Sequence, residues 1–222
     1  MNREDDHAFS SARLYGVTTS AWDEVSTAVA AAPYPVAVLA PDGERAAHCL
    51  RELGITTTSW LGAVVGHTGG LLVDHGWLRI LGSGAEALPD ILDRAEPASG
   101  ALPVAYDVLG GMYVWATNPA GRPTIRYFGP DVLDWEDLEL GYAEWLHAVL
   151  VGSLDRFYGT LRWPGWQNDV SAVAADQGIH TFPPPWSKEG KDLSTVSRAV
   201  VALSELVSLH QDAARQLSGQ DS

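Results

Sequence analysis

Cysteine is almost absent from this 222-residue chain, where Cys49 stands alone. No internal disulfide can form, and a cysteine-rich zinc site is excluded. Basic residues are scarce as well: Lys and Arg total 14 against 28 Asp and Glu, a formal net charge of −14. That deficit argues against binding nucleic acid, because phosphates must be neutralised by Lys and Arg. It argues equally against docking on an anionic membrane. Apolar runs such as Leu61–Val65 and Val200–Leu203 fall far short of the roughly 20 residues of a membrane span. The start, Met1 to His7, is polar and acidic and lacks the basic-then-apolar pattern of a secretory leader. The expected compartment is the cytoplasm.

Catalytic signatures are missing too. Neither HExxH nor HxH occurs, Gly82-Ser83-Gly84 has no Walker lysine after it, and no GxSxG elbow or dinucleotide fingerprint is present. No cofactor and no metal is expected.

What remains has a globular balance, 46% hydrophobic and 19% charged. At roughly 150 residues per domain, the length suits one large domain or two small ones. No linker stands out. The expected organisation is a single domain over 18–190, with 1–17 as a flexible lead-in and 191–222 as a helical appendage.

Helical spacing runs from Trp22 to Ala32 after Thr18-Thr19-Ser20, and from Asp42 to Gly54. It returns over Tyr142–Leu150, Leu154–Leu161 and Trp166–Gly178, and again after Ser194 or Ser197. Leu88–Arg94 reads as one short helix. Strands are expected at Val36–Ala40, Leu61–Gly66, Leu71–Asp74, Trp77–Leu81, Val104–Val108, Met112–Thr117 and Thr124–Phe128. Gly69-Gly70, His75-Gly76, Gly110-Gly111 and Asn118–Arg122 read as the turns between them. Such short connections favour antiparallel pairing. The fold class is α+β: a central antiparallel sheet of about six strands flanked by N- and C-terminal helices.

Three groups of residues carry chemistry. His67, Asp74, His75 and Asp107 are types that run acid–base chemistry, and they define a candidate hydrolase site; Asp74 and His75 equally suit a turn before Gly76. Asp131, Asp134, Glu136, Asp137 and Glu139 surround Trp135 just before a helix. They read either as a solvated acidic turn or as a surface that steers and holds a basic protein. Their spacing is not that of an EF-hand. Nine tryptophans are many for this length. Trp22, Trp115 and Trp145 fit core positions, whereas Trp163, Trp166 and Trp186 lie near prolines and suit a groove or a clamped loop.

The strings TTTSWLGAVVGHTGGLLVDHGWLRILGSG, YFGPDVLDWEDLELGYAEWLHAVLVGSLDRFYGTLRWPGW and DQGIHTFPPPWSKEGKD resemble an uncharacterised bacterial family, domain-of-unknown-function family 2625, from about Trp22 to Arg198. More distantly, a hairpin-rich sheet, the acidic segment Tyr127–Leu138 and a helix bearing Tyr142, Trp145 and Leu146 are similar to the SUKH superfamily. That resemblance implies an α+β fold and an immunity-type role, in which a cytoplasmic binding protein neutralises a basic toxin. Asp131, Asp134, Trp135, Glu136, Asp137 and Glu139, with Trp163 and Trp166, are the expected partner-binding residues. Self-association through the C-terminal helix is a further expectation.

Overall fold

Local chemistry starts each of the first three helices. In the computed structural model, which describes residues 20–85, 87–93 and 100–219, Ser20 opens helix α1 (Ala21–Ala30) with a reciprocal cap. Its hydroxyl accepts from the Asp23 amide at 3.1 Å, and the Asp23 carboxylate accepts from the Ser20 amide at 3.2 Å. Pro33 and Pro35 end that helix and lead into strand β1 (Val36–Leu39). Asp42 caps α2 (Gly43–Leu53), and Gly54 closes it in the left-handed region at φ 63°.

The stretch expected as a strand at Leu61–Gly66 is a helix, α3 (Trp60–His67). Ser59 caps it by accepting from the Gly62 amide at 3.1 Å. Its residues Leu61 to Val65 are all buried, so the helix shows no polar face. A helix buried all round and a buried strand give the same unbroken apolar run. Gly62 permits the packing: a Cβ there would lie 1.9 Å from the Thr56 carbonyl oxygen. Gly69-Gly70 is therefore the exit from α3 rather than a hairpin turn.

The sheet then forms in chain order. Its strands are β1, β2 (Gly70–Val73), β3 (Leu78–Leu81), β4 (Ala101–Asp107), β5 (Met112–Thr117), β6 (Pro123–Phe128) and β7 (Trp135–Asp137). All neighbours pair antiparallel in the order β1 to β7, so the sheet has seven strands against the expected total of about six, with β1 and β7 at its edges; β7 is the strand that was not expected. Residues 87–93 make turns and an isolated bridge rather than the expected helix; Asp90 accepts from the Leu92 and Asp93 amides. Arg94 lies outside the described residues, as does the lead-in 1–17.

Alternation divides the sheet into two faces. Tyr113 and Tyr127 point to the face covered by α4 (Tyr142–Leu150) and α5 (Leu154–Phe157), where the Tyr113 and Trp145 rings lie 5.3 Å apart. Met112 and Val114 point the other way, toward α7 (Leu203–Ser218). Two further elements precede α7. Helix α6 covers only Trp166–Ser171, because Gln177–Phe182 leaves the helical pattern to form β8. Strand β8 pairs antiparallel with β9 (Ser197–Ala202), so α7 begins after Ala202 and not at Ser194 or Ser197. Within residues 191–219, Leu193, Val196, Leu203 and Val207 belong to the same apolar core as the sheet.

Candidate functional site

The acidic segment forms the free edge of the sheet. Asp134 and Leu138 bond inward to β6: Gly129 donates to the Asp134 carbonyl at 3.2 Å, and the Leu138 amide donates to the Ile125 carbonyl at 2.9 Å. Alternation turns the amides of Trp135 and Glu139 outward. Both are already occupied. The Asp134 carboxylate accepts from the Trp135 amide at 2.7 Å, and the Asp137 carboxylate accepts from the Glu139 amide at 2.9 Å. Asp137 also accepts from the Asn118 side chain at 3.3 Å. The Glu139 amide holds the Asp137 carboxyl below its ordinary pKa. These two carboxylates blunt the edge against addition of another strand.

The other acidic side chains have a different position. Glu136 and Glu139 accept no hydrogen bond and join no ion pair among the described residues. With Asp137 they rim a groove of about 450 Å³ between β7 and helices α4 and α5. Tyr113, Trp145 and Phe157 line the same groove. Phe157 remains 37% exposed, and its ring meets Tyr127 edge-on at 5.0 Å. Arg156 is the basic member of the wall. An acidic rim beside the exposed Phe157 ring suits a cationic side chain, which is attracted by the carboxylates and by the ring quadrupole.

Beneath the groove lies a closed polar cluster. Asp107 ends β4, and its carboxylate accepts from the Leu109 and Gly111 amides, both at 2.9 Å, and from the Tyr127 and Tyr158 hydroxyls at 2.8 and 3.2 Å. The Tyr113 and Tyr158 hydroxyls pair at 2.6 Å. Gly111 makes room: a Cβ there would lie 2.1 Å from an Asp107 carboxylate oxygen. Burial holds the Asp107 carboxyl above its ordinary pKa, opposed by these donors.

The other members of the candidate hydrolase set have separate partners. Asp74 pairs with Arg162, which also bonds Asp155 at 2.7 Å and lies over the Trp166 ring at 4.1 Å. His75 approaches the Ser171 hydroxyl at 3.4 Å and packs edge-on against Trp166. His67 stacks on Trp22 at 5.0 Å, at the end of α3. Among the described residues, no hydrogen bond or ion pair joins any two of these four. Among the described residues, no group of three or more His, Cys, Asp and Glu is placed to hold a metal ion.

The expected partner-binding residues divide as well. Trp163 and Trp166 are buried against Trp77 and do not line the groove. Trp135 packs on Phe128 and faces the opposite side of the sheet. Asp131 is partly exposed in the turn before β7. The exposed aromatic surface of the groove is Phe157, with the buried Tyr113 and Trp145 behind it. Phe157 escaped sequence reading because its spacing from Leu154 reads as core. The available signal was Gly152 and Gly159, which leave its helix only four residues long.

A model of the family described as protein of unknown function DUF2625 matches residues 12–206. The chain belongs to the DUF2625 family. This DUF2625 protein is similar to the uncharacterised protein YbfG of Escherichia coli K12, at 37% identity over 203 residues, covering 87% of this chain and 92% of the relative. It is also similar to an uncharacterised protein of Haemophilus influenzae strain Rd, at 34% identity over 183 residues, covering 78% of this chain and 80% of the relative. Among the described residues of this family member, no helix is long and apolar enough to cross a membrane.

Proposed function

We propose that this DUF2625 protein is a non-enzymatic, cytoplasmic binding protein that captures a basic protein partner, in the manner of an immunity protein that neutralises a toxin. The observation that carries the reading is the groove at the sheet edge, where Glu136 and Glu139 stand without internal partners beside Tyr113, Trp145 and Phe157. A net charge of −14 favours long-range attraction of a basic protein and speeds encounter. The α+β layout, with hairpins followed by the acidic segment and α4, supports a SUKH-like reading of the architecture.

The test is a pull-down from the organism that makes the protein, using wild type and the double variant Glu136→Lys/Glu139→Lys at low and high salt. The expected result is a basic partner held by wild type, weakened by salt and lost on charge reversal. Retention of the same partner by the double variant would contradict the proposal.

A second reading, self-association through the C-terminal helix, has one supporting observation: Leu209 and Leu217 are 44% and 49% exposed on α7. Light scattering on Leu209→Glu/Leu217→Glu distinguishes it. A change from oligomer to monomer supports self-association, and an unchanged monomer removes it.

A further inference from the structure

Strand β9 has an open side, and two hydrogen bonds fix which of its groups lie there. The Ile179 amide donates to the Val108 carbonyl at 2.7 Å, away from β9, and the Leu203 amide donates to the Asp176 carbonyl at 2.8 Å, back toward β8. Ile179 stands opposite Val200 in the β8–β9 register. Alternation therefore turns the amides of Ser197, Ala199 and Val201 toward β8, and those of Arg198, Val200 and Ala202 outward. None of these three outward amides donates a hydrogen bond among the described residues.

This edge lacks the devices that keep strands of separate molecules apart. On β7, the Asp134 and Asp137 carboxylates occupy outward amides. Strand β1, the other edge of the large sheet, is only four residues long. Strand β9 runs for six residues, without proline and without a break in register. Its one charged side chain, Arg198, is turned back onto its own chain. The guanidinium donates to the Leu193 and Val196 carbonyls at 2.8 and 3.3 Å, lies 3.8 Å from the Asp169 carboxylate and sits over the Trp163 ring at 4.7 Å. Val200, at the middle of the open side, is 52% exposed.

Symmetry and charge name the occupant. Each copy of the chain carries a net charge of −14, so long-range repulsion opposes a second copy, and contact is most favourable where no carboxylate projects. Strand β9, Ser197–Ala202, has none. An antiparallel edge is also self-complementary about a two-fold axis. With the axis at Val200, each Val200 amide donates to the Val200 carbonyl of the other copy, and each Ala202 amide donates to the other Arg198 carbonyl. The two Val200 side chains then meet on one face, and Arg198 stands opposite Ala202 rather than opposite its own copy. A basic partner would find no carboxylate on this strand to hold it.

We propose that β9 pairs edge to edge with β9 of a second copy of the chain, joining two β8–β9 pairs into one continuous sheet across a two-fold axis. The interface is separate from the acidic groove and from the exposed leucines of α7.

The experiment is sedimentation equilibrium of the full chain from about 10 to 200 µM, at about 0.05 and 0.5 M salt. The expected result is a monomer–dimer equilibrium that tightens as salt screens the charge on the two copies. Capture of a basic protein at the groove responds to salt in the opposite sense. Val200→Lys keeps the backbone, places two ammonium groups across the axis and should weaken the dimer at least about fivefold. Val200→Pro removes the central outward amide while leaving the bonds to β8, and should weaken it likewise. Leu209→Glu/Leu217→Glu, on α7, should leave the dimer at wild-type strength. A chain that stays monomeric at about 200 µM in the higher salt, a dimer undiminished by Val200→Lys, or a dimer lost in the α7 variant overturns the proposal. None of these outcomes alters the expectation for the groove.

Discussion

Asp107 accepts four hydrogen bonds in a fully buried cluster, whereas Glu136 and Glu139 stand at the rim of a groove and accept none among the described residues. The two regions are close in the fold, since Tyr113 joins the buried cluster and also lines the groove. Their carboxylates nevertheless do different work. Those of the interior fix the geometry of turns and hold tyrosines in place. Those of the rim leave their charge available to solvent and to a partner. Asp134 and Asp137 lie between the two: they belong to the acidic segment but bond its own backbone. A count of acidic residues therefore overstates the charge free to act, and hydrogen-bond partners separate the two roles.

The largest expected effect comes from the interior. Arg162→Ala would leave Asp74 as a buried carboxylate without its cation, and would remove the guanidinium from the rings of Trp166 and Trp77, at 4.1 and 5.1 Å. The expected loss is about 3–5 kcal/mol in chemical denaturation. Arg162→Met/Asp74→Asn, which removes both charges, should lose less than Arg162→Ala. Equal or additive losses would show that the pair is not coupled.

Asp107→Ala comes next, at about 3 kcal/mol, because it leaves two amides and two hydroxyls without an acceptor. Asp107→Asn should cost less than about 1 kcal/mol: the amide oxygen keeps the Leu109 and Gly111 amides, and the NH2 group donates to the tyrosine oxygens. The same variant tests the pH dependence. Burial raises the Asp107 pKa in the folded state, so the folded chain holds that proton more tightly than the unfolded one. The contribution is fully present below the unfolded value of about 3.9 and is lost as pH rises through the raised folded value. His210, pushed down to about 4 by burial, acts in the opposite sense over part of that range. The wild-type minus Asp107→Asn difference curve isolates the carboxyl. It should fall with rising pH, and a flat difference would contradict the assignment.

Ser20→Ala removes the α1 cap and should cost about 1 kcal/mol. The smallest effect is expected at the rim. Glu136→Lys/Glu139→Lys should change stability by no more than about 0.5 kcal/mol, because neither side chain has an internal partner. A large loss would place these residues with the interior set and erase the contrast.

Much of this contrast was hidden from the sequence. Strands β2 to β6 were legible because alternation and turn residues such as His75-Gly76 and Gly110-Gly111 act locally. Helix α3 was not, since burial on every side removes the polar face that marks a helical period. The spacing of Ser197–Ala202 suits a helix, and the segment is a strand only by pairing with β8, some 20 residues earlier. At the site, the acidic segment was visible as composition. Its division into bonded Asp134 and Asp137 and unbonded Glu136 and Glu139 depends on which amides face outward from β6, and no local pattern encodes that. Phe157 joins the groove only because a four-residue helix packs over Tyr127.

The most direct measurement of capture at the groove is site-specific photocrosslinking in cells that make the protein, with the probe placed singly at Glu139, at Phe157 and, as a control, at the exposed Glu52 of α2. Probes at 139 and 157 are expected to trap the same basic protein while the probe at 52 traps none of it. Capture from all three positions alike, or capture at 52 alone, would contradict it.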